Sequence, residues 1–440
     1  MEKREVNPDN ETMKRILKLA AYAFVCVVAS ASCQADNSGR VDGYILEDEV
    51  IFSRHNIRSP LSTSGSELSL ITPYKWVDWG VEAAHLTGRG GRIEQKMGEW
   101  FRADLKAFAS IDRDNSLFYS NSKQRTIKTG EKFIEGFCPG LPLYYRFKDD
   151  SMDPLFNPAY PFMNARLQEK ILADMNAVGG VEGTPEDPYR GIFAAIGKLT
   201  DEIHYMEEVI GFKESPYAGG TLEHLPLDKM SIVLTEGKEP GMTGDYKLVN
   251  SIADALVLQY YETGKEFGKE ISVDDVRRIG KVKTVYDEVL FANHTTAVLV
   301  SNPLVRKIKE EILDSDRKFT FLCGHDSNIA SITAALGIRL PETTGAVEFT
   351  SPIGSKIVFQ KYRKDESLFV DVHIVYAAVS QLRETSPISV QNPPIVLQIE
   401  FEGLSRNKDG YYRLEDIIGR FDDTIAEFEG LVKEYGAILQ

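Results

Sequence analysis

The feature that most constrains this chain is a pair of apolar strands, far apart in sequence, each running straight into a loop of charged and imidazole side chains. The first is Val50-Ile51-Phe52, followed by Ser53-Arg54-His55-Asn56-Ile57-Arg58-Ser59-Pro60. The second is Phe319-Thr320-Phe321-Leu322-Cys323, followed by Gly324-His325-Asp326-Ser327-Asn328. Short apolar runs of this kind suit the buried middle of a parallel sheet. Open α/β sheets bind ligands beyond the carboxyl ends of their strands. The two loops make chemical sense only if the fold sets them side by side. The expected class is α/β, with a mixed, mostly parallel central sheet flanked by helices.

The remaining pattern agrees with that class. Apolar residues at helical spacing run through 92–101 after Thr87. Phe118-Tyr119-Ser120-Asn121 reads as a short strand opening into a helix near Lys123, and strand followed by helix recurs over 319–336. Helices are expected over 163–177 and 189–210, punctuated by Pro185, Pro188, Pro216, Gly219 and Gly220. This texture predicts a mainly helical insertion, 151–246, in an α/β core made of 44–150 and 247–440. Within that core a helix is expected over 247–261 and strands over 354–362, 369–376 and 395–401. A hairpin-type turn at Asp409-Gly410 and a closing helix over 414–435 complete the reading.

Acidic residues outnumber basic ones 66 to 51, a formal net charge of −15, which argues against a nucleic-acid partner. It leaves an anionic substrate open, because a few arginines focused in a cleft oppose the global field. From Met13 the chain reads Lys14-Arg15-Ile16-Leu17-Lys18, then an apolar run over 19–31, then Ser32-Cys33. A basic start, a short apolar stretch and small residues describe a secretory signal, shorter than the roughly 20 apolar residues of a membrane span. Residues 1–12 are then an upstream extension, 13–33 the signal and 34–43 a tether. Cys33 is the expected lipidation site of an exported, membrane-anchored or periplasmic protein, with simple cleavage after Ala31 or Ala35 as the alternative. The two cysteines beyond it, Cys138 and Cys323, are expected as free, buried thiols. No CxxC, HExxH or Cys/His cluster is present, so no metal site is expected.

Arg54 and Arg58 bracket His55, and planar guanidinium groups bind phosphate oxygens bidentately. His55 is the candidate nucleophile: a neutral imidazole nitrogen attacks phosphorus, and adjacent arginines favour the neutral form. His325 and Asp326 lead into an expected helix whose free N–H groups suit an anion. Asp326 is the candidate general acid, which requires a protonated carboxyl and an acid optimum. The competing role is a helix cap, which Ser327 or Asn328 could fill instead. Arg125 follows another expected strand but from spacing alone is one charged residue among many. The glycines of Thr87-Gly88-Arg89-Gly90-Gly91 lack the lysine-serine pair of a P-loop, so they read as a helix entry.

The motifs SRHNIRSPL, TPYKWVDW, LTGRGG, NSKQRT, MDPLFNP, LQYYE, GHDSNIAS and SPIGSKIVFQ span nearly the whole chain beyond the leader. Together they resemble the histidine acid phosphatase family, branch 2 of the histidine phosphatases, and within it the periplasmic glucose-1-phosphatase group, relatives of bacterial phytases. The resemblance implies that Arg54, Arg58, Arg125 and His325 bind phosphate, His55 becomes phosphorylated and Asp326 donates the proton. It also implies an α/β core with a helical domain, no metal or other cofactor, and a small phosphate monoester as partner. The family commonly has glycine after the nucleophile; Asn56 here is a feature of the glucose-1-phosphatase group, and the resemblance places it in the substrate pocket. Glu262 lies where that group carries an acidic residue near the substrate pocket, the alternative being a solvated helix end. The expected function is an exported acid phosphatase acting on glucose 1-phosphate and related sugar phosphates. A phytase is the alternative, and a lipoprotein that binds a phosphorylated ligand without turnover is the remote one.

Overall fold

The structure, a computed structural model, describes residues 43–62, 66–105, 111–141, 143–148 and 152–436. The expected extension, signal and tether up to residue 42, with Cys33, lie outside the described residues. Among the described residues no helix is long and apolar enough to cross a membrane.

In chain order the elements are β1 (Ile45–Arg54), α1 (Gly88–Asp104), β2 (Ser116–Ser120), α2 (Gln124–Phe137) and β3 (Tyr145–Arg146). A helical stretch follows: α3 (Ala165–Ala177), α4 (Arg190–Gly197), α5 (Thr200–Ile210), α6 (Asp245–Thr263), α7 (Val273–Leu290) and α8 (His294–Leu313). The chain then forms β4 (Phe319–Gly324), α9 (Asp326–Ala335), β5 (Lys356–Lys364), β6 (Ser367–Tyr376), β7 (Ile395–Gln398), β8 (Tyr412–Arg413) and α10 (Leu414–Tyr435). The strands build an eight-stranded sheet in the order β7-β6-β5-β1-β4-β2-β3, with β8 on β6.

The sheet is mixed, as expected. Its parallel pairs are β1/β4, β4/β2 and β2/β3; the other half, β1/β5, β5/β6, β6/β7 and β6/β8, is antiparallel. The expected weight of parallel strands is therefore too high, and the reason is local. Lys364 pairs with Ser367 across Asp365-Glu366, a connection too short for anything but a hairpin. In the parallel half the register sets Arg54 opposite Gly324 and Ser120 opposite Cys323, so three strands end level. All six residues of β4 are buried, which is why its sequence is so apolar.

Helix α2 is held on β4 by stacked rings. Phe133 lies 4.2 Å from Phe321 and Phe137 lies 4.3 Å from Phe319, centroid to centroid. Such pairs add about 0.5–1.5 kcal/mol each beyond area burial, and they fix the helix whose first turn carries Arg125. Helix α1 starts as expected at the glycine-rich segment, with the Thr87 hydroxyl accepting from the Gly90 N–H at 3.1 Å. The glycines here permit close packing: a Cβ on Gly90 would fall 2.3 Å from the Ile57 carbonyl oxygen, in the loop after β1.

Hydrophobic clusters among the described residues stabilise the fold, and two bear on the site. One joins Val50, Phe52, Leu322, Ile357 and Val372 to Ile417 and Phe421 of α10. The other gathers Ile171, Met206, Ile252, Ile279 and Val298, so the helical layer draws on α6 to α8 and reaches well beyond 151–246. The expected helix over 189–210 is two helices, α4 and α5, broken at Lys198–Leu199 after Gly197. Glycine is a poor helix former, and Thr-Asp-Glu after the break suits a new N-terminal turn. The expected strand over 395–401 also divides: Glu400–Phe401 leaves the main sheet and pairs with Ile338–Arg339. Asp409-Gly410 is a turn but not a hairpin, because Tyr412 and Arg413 pair with Val370 and Phe369 of β6. Cys138 and Cys323 are free and buried.

The Gly90 contact yields a stability prediction. Gly90→Ala should lower the unfolding free energy by about 1–3 kcal/mol through overpacking against Ile57, read by urea denaturation. Gly419→Ala, in α10 with open space around the new methyl, should instead stabilise by roughly 0.5–1 kcal/mol. Equal effects at the two sites would contradict the packing argument.

Candidate active site

The level ends of the three parallel strands bring the two sequence segments together. The His55 N–H donates to the Gly324 carbonyl at 3.1 Å, and the Asn121 N–H donates to the Cys323 carbonyl at 2.9 Å. The His55 and His325 rings meet edge to face with centroids 5.5 Å apart. Above them lies a cavity of about 320 Å³. Its floor is His55, Arg58, Arg125, His325 and Asp326; its roof includes Asn250 and Asp254 of α6 and Lys283, Tyr286 and Asp287 of α7.

His55 is oriented by its own backbone. Nδ1 lies 2.9 Å from the Asn56 carbonyl oxygen, which can only accept, so Nδ1 carries the proton and Nε2 keeps its lone pair. Burial holds the imidazole pKa well below its ordinary value, and Arg125, His325, Arg58 and Arg54 push the same way. Sequence reasoning assigned this effect to the arginines; desolvation is the larger cause.

His325 is arranged differently. Its Nε2 lies 2.8 Å from Asn121 Nδ2, and the Asn121 amide is fixed because its Oδ1 accepts from the Ser122 N–H at 2.7 Å. Nε2 therefore accepts and Nδ1 carries the proton. Arg125 Nη2 lies 3.3 Å from that Nδ1, so two donors converge with no acceptor between them. Burial, reinforced by Arg125, keeps His325 well below the usual imidazole range. The Arg125 guanidinium is itself pushed down to about 10 by burial and by Arg58. The Nε atoms of Arg54, Arg58 and Arg125 are all buried without a hydrogen-bond partner. Buried, unpaired cationic donors are costly, and an oxyanion held against Arg58 and Arg125, which line the cavity, offsets that cost.

Two of the arginines are braced by carboxylates. Arg58 is bidentate with Asp254, at 3.0 and 3.2 Å. Arg54 does not line the cavity; it lies behind Asp326, with Nη2 3.2 Å from Asp326 Oδ2 and Nη1 3.4 Å from Glu348 and bonded to the Ser351 carbonyl. Burial alone would lower its pKa, but Asp326 and Glu348 outweigh it.

Asp326 accepts the Ser327 N–H through Oδ1 at 3.0 Å, while Asn328 Oδ1 accepts the His325 N–H at 3.0 Å at the start of α9. Asp326 Oδ2 is 2.7 Å from Lys283 Nζ. Burial would raise its pKa, yet Lys283 and then Arg54 hold it well below the usual carboxylate value. This direction favours an ionised carboxyl in the free site, so the proton that the expected acid role requires has to be supplied when substrate binds. Lys283 also contacts Asp287 at 3.4 Å. The Asp287 carboxyl is raised by its burial, with Asp326 adding to the effect.

The two residues expected in the substrate pocket are not in the cavity. Asn56 turns beneath the loop, donating to Glu94 at 2.9 Å and accepting the Ile57 N–H at 2.8 Å. Glu94 in turn pairs with Lys356 at 2.9 Å, both side chains fully buried. Asn56 thus ties the nucleophile's loop to a buried ion pair. Glu262 accepts from the Thr87 hydroxyl and from Arg89 Nε at 3.1 Å. Eight residues beyond Asp254 on α6, it lies about 12 Å farther along the helix axis; it joins α6 to the start of α1. Sequence reasoning missed Lys283, Asp287 and Asp254. The first two are spaced i, i+4 and look like any solvated helix pair. Asp254, a lone acid within the apolar run 252–258, was the signal available.

Residues 46–177 match the family profile described as the histidine phosphatase superfamily, branch 2. The chain is 31% identical over 422 residues to a glucose-1-phosphatase of Salmonella typhimurium, covering 92% of this chain and 97% of that protein. It is 30% identical over 414 residues to a glucose-1-phosphatase of Providencia rettgeri, covering 90% and 94%. Its fold matches the solved Hafnia alvei phytase in complex with tartrate at a TM-score of 0.78 and 23% identity, over 88% of this chain and 98% of that one. Together with convergent donors at the ends of three parallel strands, these likenesses establish that the chain belongs to branch 2 of the histidine phosphatase superfamily and is a histidine acid phosphatase, a hydrolase of phosphate monoesters.

Proposed function

We propose that this phosphatase hydrolyses glucose 1-phosphate and related sugar phosphates through a phosphohistidine intermediate. The observation that carries the substrate class is the charge of the cavity. Arg58, Lys123, Arg125, Lys247 and Lys283 line it together with Glu239, Asp254, Asp287 and Asp326. Such a near-balanced wall suits one phosphoryl group on a neutral sugar and offers little surplus positive charge for additional phosphates. The volume sits at the small end of the range of about 300–1,000 Å³ for ligand pockets. The names of the two glucose-1-phosphatase relatives favour the same substrate. A phytase is the second reading, favoured by the likeness of fold to the Hafnia alvei enzyme; the four acidic lining residues weigh against it.

In the proposed reaction the phosphoryl oxygens lie against Arg125, the Nδ1–H of His325 and Arg58. Fixed positive groups there neutralise the equatorial oxygens of an in-line displacement. Nε2 of His55 attacks phosphorus, an N–P bond forms and the ester P–O bond breaks. The sugar oxygen leaves with a proton from Asp326. Water then attacks the phosphohistidine, Asp326 takes back a proton and His55 is released with inorganic phosphate. The ionised resting state of Asp326 requires that its proton arrive with the substrate. A phosphate monoester loses its second proton near pH 6; below that it enters as a monoanion. Cationic groups favour the dianion inside, so the proton passes to the Asp326 carboxylate.

Export is part of the proposal, supported by the basic-then-apolar pattern of 14–31, as is lipid attachment at Cys33. Mass spectrometry of the mature protein decides both.

His55→Ala should abolish the phosphoenzyme, seen by mass spectrometry after quenching in base, and reduce kcat to background; full activity would remove the mechanism. Asp326→Asn should lower kcat on glucose 1-phosphate by about 10²–10⁴-fold but much less on p-nitrophenyl phosphate, whose leaving group needs no proton. An equal loss on both would assign Asp326 another role. The depressed pKa values of His55 and His325 favour neutral rings at mildly acidic pH, where an ordinary imidazole of pKa about 6.5 is largely protonated. Activity should therefore persist at pH 5 and decline above about pH 6 as the monoanionic substrate disappears; a pH–rate profile lost on the acid side near 6.5 would contradict it. A higher kcat/KM on inositol hexakisphosphate than on glucose 1-phosphate would establish the phytase reading.

A further inference from the structure

Three potential ligands that no sequence spacing connects meet in the helical layer. His204 and Glu207 lie one turn apart on α5, and His224 comes from the segment that follows it. Their donor atoms all lie within 4.8 Å of one another. The two imidazole rings stack at 4.0 Å with an interplanar angle of 26°. Glu207 is only 6% exposed. Its Oε1 is held by the Leu225 N–H at 2.6 Å, and its Oε2 lies 2.7 Å from His224 Nδ1. A cavity of about 420 Å³ opens beside them, and Glu208, Glu214 and Glu223 line it against Lys213. None of the three residues borders the catalytic cavity.

We propose that His204, Glu207 and His224 form a binding site for a divalent transition-metal ion, with Zn²⁺ as the fitting member of the class. Two imidazoles and one carboxylate are a zinc donor set, with bond lengths of about 2.0–2.2 Å and hence donors roughly 3.4 Å apart. Donors already within 4.8 Å reach that spacing by side-chain rotation, which the half-exposed His224 is free to make. The carboxylate is pre-oriented, because the Leu225 N–H fixes one oxygen and leaves the other for the ion. The ion takes the place of the hydrogen bond between His224 Nδ1 and Glu207 Oε2, and the imidazole proton moves to Nε2. The acidic rim attracts a cation, and the fourth position faces the cavity for water. Bound there, the ion staples the chain after α5 to the helix itself. The expectation of no metal site rested on local spacing, and His224 reaches its partners from 17 residues beyond Glu207.

The test uses the full chain treated with EDTA and then titrated with ZnCl₂ by calorimetry. One Zn²⁺ per chain is expected, with a higher thermal midpoint. His204→Ala and His224→Ala should each weaken binding by at least about 100-fold and remove the thermal gain, leaving kcat/KM on a phosphate monoester unchanged. Cu²⁺ in the same site should show coupling to two nitrogens by electron paramagnetic resonance, and to fewer in His224→Gln, which keeps the surface polar. Absence of saturable Zn²⁺ binding overturns the proposal. So does binding that survives in the double variant, or binding lost instead in His55→Ala, which would place the ion on the catalytic histidines.

Discussion

The site depends on the parallel pairing of β1 with β4. Arg54 lies opposite Gly324, so the next residue on each strand is a histidine, and the two rings meet at 5.5 Å. In a parallel ladder the side-chain period is two, so a slip by one residue would turn one ring away from the other face. The apolar run of β4, buried throughout, holds that register, because a slip by one residue would turn Phe319 and Phe321 away from α2. Phe319 and Phe321 also anchor α2 through Phe137 and Phe133, which places Arg125 against His325. One hydrophobic constraint thus positions three charged or polar parts of the site.

The electrostatics follow from burying so many ionisable groups together. Three of the cations are paired with carboxylates: Arg58 with Asp254, Arg54 with Glu348 and Asp326, and Lys283 with Asp287 and Asp326. Ion pairs removed from water cost desolvation energy and recover it only with good geometry. Here the Nε atoms of Arg54, Arg58 and Arg125 stay buried without a partner, and burial holds the pKa values of both histidines low. The same field ionises Asp326 and so couples its role as a proton donor to the arrival of an acidic substrate.

The family, the α/β class and the grouping of His55, Arg58, Arg125, His325 and Asp326 were legible in sequence because they reside in contiguous motifs at strand ends. Helix 414–435 was legible to the residue. The roles expected of Asn56 and Glu262 were not sound, since a residue's neighbours in sequence do not say which way its side chain turns. Asn56 follows the nucleophile yet faces Glu94, away from the cavity. Lys283 and Asp287 carried no local signal: a helix face looks solvated until another layer of the fold covers it.

The sequence by itself determined the chemistry available: which strands are buried, where they end, and that imidazole, guanidinium and carboxyl groups wait there. Those properties follow from short-range patterns, apolar periodicity and turn chemistry, which act over a few residues. Only the tertiary structure decided which charges touch, and therefore which are neutral or ionised. It set Lys283 against Asp326, put Arg54 behind the cavity wall and brought His224 to Glu207. Coulomb and desolvation effects act through space over a few ångströms, and sequence distance carries no information about that separation.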